Sequence, residues 1–240
     1  MKCRFCSQDR TLVKAHIIPS GFFRRMLDGG DLRLLSEDQK VYPKKAPIGE
    51  YDTAILCADC DQLFGKWDDY AQQILSREPP GTPKVFPGGK VVGYELSQYR
   101  YDPLKLFFIS LLWRAAVSTR SFYQKVKLGP YECVAKKLLE NQDPGGAQEF
   151  AVLLARFDDH VLAEAVIHPF REKVGGINYS RFYLGGYVAY IKSDQRNAQR
   201  EFSDLILAHG QPLRIIAQDL KQRHEFSRLH RIMTAPQNRV

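Results

Sequence analysis

The sequence predicts an α+β protein: a small metal-braced module, then helices packed on a small, mainly antiparallel sheet. Three observations predict that class. Four of the five cysteines form two Cys-x-x-Cys pairs, Cys3/Cys6 and Cys57/Cys60. Residues 103–118 and 130–139 have the apolar content and length of helices. Beyond them, residues 149–157, 161–167 and 181–191 are rich in the β-branched and aromatic types that strands favour.

In chain order, Cys3 and Cys6 read as a knuckle, and residues 12–18 as a short strand or hairpin arm carrying His16. Pro19-Ser20 stops that strand, and Ser20 can cap a helix over 22–27. Residues 28–50 read as an irregular polar insertion, and 53–56 as a short strand entering the second knuckle. A helix follows from about Asp61 to Leu75, where Leu63, Phe64, Trp67, Tyr70, Ala71 and Ile74 recur at helical spacing. The Pro/Gly density of Pro79-Pro80-Gly81-Thr82-Pro83 and Pro87-Gly88-Gly89 then marks a linker. The organisation is therefore 1–80 for the cysteine module, 81–102 for a linker or long loop, and 103–240 for an α+β accessory domain that binds a target or a partner. In that last part Asp158-Asp159-His160 reads as a hairpin turn, 205–208 as a strand and 213–231 as a closing helix.

Composition narrows the function classes. Hydrophobic residues at 44% and charged residues at 26% suit a soluble globular chain. The longest apolar stretch, 104–117, is broken by Lys105, Ser110 and Arg114, and falls short of the roughly 20 residues of a membrane span. The chain opens directly into a cysteine pair with no export signal, so metal rather than disulfide, and a reducing cytoplasm, are expected. Net charge is +8, which fits a polyanionic partner such as nucleic acid. Residues 1–80 hold 12 Lys/Arg against 12 Asp/Glu, so the excess lies beyond them. Part of it is Arg214, Lys221, Arg223, Arg228, Arg231 and Arg239, which suits a solvated helix face and a phosphate-contacting one equally.

The paired cysteines carry the strongest chemical signal. Each Cys-x-x-Cys turns two thiolates toward one point, and two such pairs supply the four soft ligands of a tetrahedral Zn²⁺. A closed four-sulfur site leaves no position for a reacting water, so the zinc is structural. Cys133 falls on the apolar stripe of a helix and reads as an inert core thiol.

Taken in order, Cys3-x-x-Cys6, Ala15-His16-Ile17-Ile18-Pro19 and Ile55-Leu56-Cys57-x-x-Cys60-Asp61 resemble the HNH endonucleases. More narrowly, the segment is similar to uncharacterised bacterial proteins with a Ser/Ala-His-Ile-Ile-Pro motif, and Leu111-Leu112-Trp113-Arg114-Ala115 looks like their second half. It implies a treble-clef, ββα-metal module over about the first 75 residues, and a metal-dependent cut of DNA or RNA phosphodiester bonds. Defence against phage or other foreign DNA is a common task of such nucleases. His16 matches the general base that activates water. Asp52 falls where the family usually has asparagine and Asp61 where it usually has a metal-binding histidine; as carboxylates, both suit a catalytic Mg²⁺ or Mn²⁺. The chain departs from the family at Ala15, where an acidic or histidine ligand usually stands. A module that has lost catalysis there and only binds nucleic acid or protein is the competing expectation.

Lys14, Arg24 and Arg25 flank this segment and are candidate phosphate contacts. Tyr179, Phe182, Tyr183, Tyr187 and Tyr190 suit either a base-stacking platform or a sheet core.

Overall fold

The computed structural model describes residues 1–24, 33–35, 44–45, 50–75, 80–157 and 165–218. The chain begins with β1 (Ala15–His16), α1 (Ser20–Arg24), β2 (Arg33–Leu35), β3 (Lys44–Lys45) and β4 (Tyr51–Asp52). It continues through α2 (Ala58–Ile74), β5 (Thr82–Val85), β6 (Val91–Leu96), α3 (Tyr101–Val117) and α4 (Tyr131–Glu140). Six strands close it: β7 (Val152–Phe157), β8 (Ala165–Ile167), β9 (Phe170–Val174), β10 (Ile177–Leu184), β11 (Tyr187–Lys192) and β12 (Leu213–Gln218). The mixed α+β class expected from the sequence is what forms, around a seven-stranded sheet of order β5-β6-β12-β7-β11-β10-β9. Its pairings are antiparallel except β12 with β7.

Both faces of this sheet are buried, and strand alternation divides them. Val152 and Leu154 join the core shared with the helices, while Leu153, Ala155 and Phe157 join a second core on the far face. Tyr179, Phe182, Tyr183, Tyr187 and Tyr190 are all buried, so they pack the sheet rather than offer a stacking platform. The first core is continuous across the chain, from Cys3 and Phe5 through Phe64 and Trp113 to Leu154 and Ile191. Helix α3 lies at its centre, buried on nearly every side between α2, α4 and β11.

Several elements depart from the sequence reading for identifiable reasons. Residues 81–102 are not simply a linker: β5 and β6 form a hairpin on the sheet edge. Pro83, which cannot donate to a ladder, is tolerated because β5 is an edge strand. Residues 181–191 form two strands, because Gly185 and Gly186 both take positive φ in a two-residue hairpin loop. Strand β7 pairs with β11 and β12 while β8 pairs with β2, so the expected hairpin between them does not form; Asp158-Asp159-His160 lies outside the described residues. The expected closing helix starts instead as β12, with Leu213 and Ile215 alternating into the core, and 219–231 lies outside the described residues. Residues 205–208 contribute a 3-10 turn ending at Leu205 and a single bridge from Ile206 to Leu153. Within 28–50, β2 and β3 are ordered strands, and the strand expected at 53–56 is β4, two residues earlier.

The polar interruptions of α3 have different fates. Ser110 and Arg114 bond within a network described below. Lys105 is fully buried, and its Nζ has no hydrogen-bond partner among the described residues. Burial pushes its pKa down to about 7, with Glu149 opposing and Lys192 adding to the drop. The unfolded chain keeps that proton to about pH 10, so between those values it binds more protons than the folded chain. Stability should therefore rise with pH from about 7 upward. Lys105→Met should flatten that rise and stabilise the fold at neutral pH by about 1–3 kcal/mol. Urea midpoints of both proteins at neutral and alkaline pH check this; equal slopes with pH would count against it.

Candidate functional site

The cysteine cluster is built by three short pieces of chain. Residues 3–6 turn tightly, Leu12 bridges to Cys57, and Cys57 becomes the N-cap of α2. The helix thus starts at Ala58, before the expected Asp61, with Asp59 and Asp61 in a first turn that favours negative charge. The ligand atoms of Cys3, Cys6, Cys57 and Cys60 all lie within 4.8 Å of one another. Sulfurs about 2.3 Å from a tetrahedral zinc stand about 3.8 Å apart. The Cys57–Cys60 and Cys6–Cys57 separations of 3.5 and 3.9 Å bracket that value, so the four thiols fit a metal such as zinc. At Cys3 burial pushes the thiol up, yet backbone hydrogen bonds from Cys6, Cys57 and Phe5 prevail and hold it at about 7. Cys133 stands apart and is exposed, not the core thiol its helix stripe suggested.

Beside this cluster a cleft of about 300 Å³ opens between the β1–α1 segment and α2. Asp61, Gly65, Asp69 and Gln72 line it from one stripe of α2, and His16 and Ser20 face them. Gly21 sits against the Gln72 side-chain amide, which a Cβ there would have to displace. Burial pushes the Asp61 carboxyl above its ordinary range, with Arg114 and His16 pulling it the other way. The structure therefore brings His16 and Asp61 to one cavity, but not Asp52, which the expected site also required.

Asp52 is not part of that cavity. In the antiparallel ribbon β1–β4, Ala15 opposes Asp52 and His16 opposes Tyr51. Successive side chains alternate, so Ala15 and Asp52 turn inward, at 0% and 1% exposure, away from the face that carries His16. The Asp52 carboxylate accepts from the Ala54 and Thr119 N–H groups and from the Ser118 and Thr119 hydroxyls, at 2.6–2.9 Å. Burial alone would raise its pKa, but those donors prevail and hold it below the usual carboxylate range. Both oxygens are engaged, so Asp52 docks the turn after α3 rather than offering a ligand to a cation.

The residue that sequence reasoning passed over is Arg114. It is 1% exposed on α3, directly beneath the cleft. Its Nη1 donates to the His16 carbonyl at 2.8 Å and to Asp68 at 2.9 Å; Nη2 donates to Asp68 at 2.6 Å and Ser110 Oγ at 3.2 Å. Nε reaches the Ser110 carbonyl at 3.3 Å, which meets its last N–H. The usable signal was a lone arginine in an apolar helix, which must find a buried acid. No family model, curated protein or solved structure matches this chain.

Of the basic candidates, Lys14 is exposed, with Nζ 5.4 Å from the centre of the Tyr51 ring. Arg24 ends α1, its side chain outside the described part, and Arg25 lies outside altogether. Arg214 pairs with Glu95 at 3.0 Å, and the basic residues after it lie outside the described residues. Among the described residues no helix is long and apolar enough to cross a membrane.

Proposed function

We propose that this chain is a metal-dependent endonuclease of the HNH type, built on a zinc-braced treble-clef module and acting on DNA, with RNA as the other candidate. The observation that supports it is the shared cleft of His16 and Asp61 against a four-cysteine cluster. In this reading His16 takes the proton of the attacking water, which requires a neutral imidazole held in place. Its strand is fixed through its own carbonyl by Arg114. Asp61 and Asp69, both lining the cleft, would hold Mg²⁺ or Mn²⁺ in place of the Asp52–Asp61 pair expected from sequence. Such a cation would offset charge developing on the phosphate oxygens. The sheet part would select the target or bind a partner protein.

The purified chain with Mg²⁺ or Mn²⁺ should nick plasmid DNA, and His16→Ala should lower the rate by about 10²–10⁴. A second reading, a binding module without catalysis, draws on the inward Ala15 and the fully engaged Asp52. It is the one to adopt if wild type and His16→Ala behave alike across both metals and both nucleic acids.

A further inference from the structure

The outward face of the β1–β4 ribbon carries more than His16. Tyr51 stands directly opposite it, ring centroids 6.0 Å apart. Two cations flank that tyrosine: Lys14 Nζ lies 5.4 Å from its ring centre and the Arg120 guanidinium 5.8 Å. Arg120 is placed by its own Nε, which donates to the Tyr51 carbonyl at 2.8 Å, with Glu50 3.5 Å away. Its position also follows from Asp52, because the carboxylate that grips Ser118 and Thr119 sets the turn leading into Arg120. Both cations are exposed, and among the described residues no hydrogen bond engages the Lys14 ammonium or the two terminal nitrogens of Arg120.

His16 thus separates two opposite fields: Asp61 and Asp69 on the cleft side, Lys14 and Arg120 on the ribbon side. Two exposed cations held against one ring beside His16 suit successive phosphates of a strand. We propose that Lys14 and Arg120, seated against Tyr51, form a subsite for the sugar-phosphate backbone of DNA running past His16. Contacts of this kind position a strand without reading its bases, so the subsite predicts binding that is indifferent to sequence. The inference deepens the nuclease reading, on which it rests for the identity of the polymer.

The test is equilibrium binding of the full zinc-loaded chain to a short labelled DNA duplex, across salt, with no Mg²⁺ or Mn²⁺ added. Removing one cation that neutralises a phosphate should lower the slope of log affinity against log salt by about 1. Lys14→Ala with Arg120→Ala should thus lower it by about 2 and weaken binding about a hundredfold near 0.1 M salt, the difference closing toward 1 M. Arg120→Lys, which keeps the charge if the turn is sensitive to truncation, should retain the slope. Lys90→Ala, on the β5–β6 hairpin, should bind as wild type does. Unchanged affinity and slope in the double variant, an equal loss in Lys90→Ala, or no binding by wild type would each overturn the proposal. Wild type that binds as expected but never cuts leaves the subsite standing and removes the nuclease; wild type that cuts while the double variant binds unchanged does the reverse.

Discussion

Arg114→Met is expected to destabilise the chain by about 3–5 kcal/mol, the cost of breaking a buried ion pair from one side. The cost lies in what remains. Asp68 would keep its carboxylate at 8% exposure without the bidentate partner, in a place where burial already pushes its pKa up. The His16 carbonyl and both oxygens of Ser110 would lose donors as well. Adding Asp68→Leu should recover much of the loss, because it removes the stranded charge rather than restoring the pair. Denaturant midpoints of the two single variants and the double give the coupling directly. A cost below about 1 kcal/mol for Arg114→Met would mean that packing alone joins α3 to the cysteine module.

Cys60→Ala should have the larger consequence. Structural zinc in small modules contributes about 10–16 kcal/mol of apparent binding energy, on the scale of a whole domain's stability. The variant should bind no zinc and should unfold the segment that its sulfur closes. The reporters are native: the chain has two tryptophans, one against Phe5 of the knuckle and the other one ring further on. Phe5, between Cys3 and Cys6, meets Phe64 at 4.8 Å and Trp113 at 5.5 Å, and Phe64 stacks on Trp67 at 5.4 Å. Tryptophan emission should move to the red, and proteolysis should begin in the first 75 residues. Cys133→Ser, at an exposed thiol, serves as the control and should change neither. Retained emission and protease resistance in Cys60→Ala would show that the four sulfurs hold no structural metal.

What the sequence disclosed follows physical lines. The cysteine spacing was legible because Cys-x-x-Cys is local geometry, complete within four residues. Helices α2, α3 and α4 were legible from length and apolar content. Strand assignments failed where a tertiary fact decided them. Pro83 and the neighbouring glycines look like linker chemistry until β5 is known to be an edge, and residues 213–218 form a strand because a slot between β6 and β7 awaits them. The site was legible only in part. His16 and Asp61 were named by resemblance, whereas Tyr51 and Arg120 reach the same neighbourhood through side-chain direction, which no spacing rule reports. Asp52 shows the limit clearly: the alternation of a two-residue ribbon turned a candidate ligand inward.

The place of β12 has a consequence for how the protein comes into being. It lies inside the seven-stranded sheet, third from one edge, yet it is the last described strand to be synthesised. Until about residue 218 has cleared the ribosome, β6 and β7 each present an open edge with nothing between them. Until β12 arrives the nascent sheet is two unjoined parts, β5-β6 and β7-β11-β10-β9, with long-range pairing deferred to the end. A transcript interrupted even slightly before residue 213 would release a product with two sticky edges, and a cell would have to dispose of it as aggregate rather than as a shortened protein.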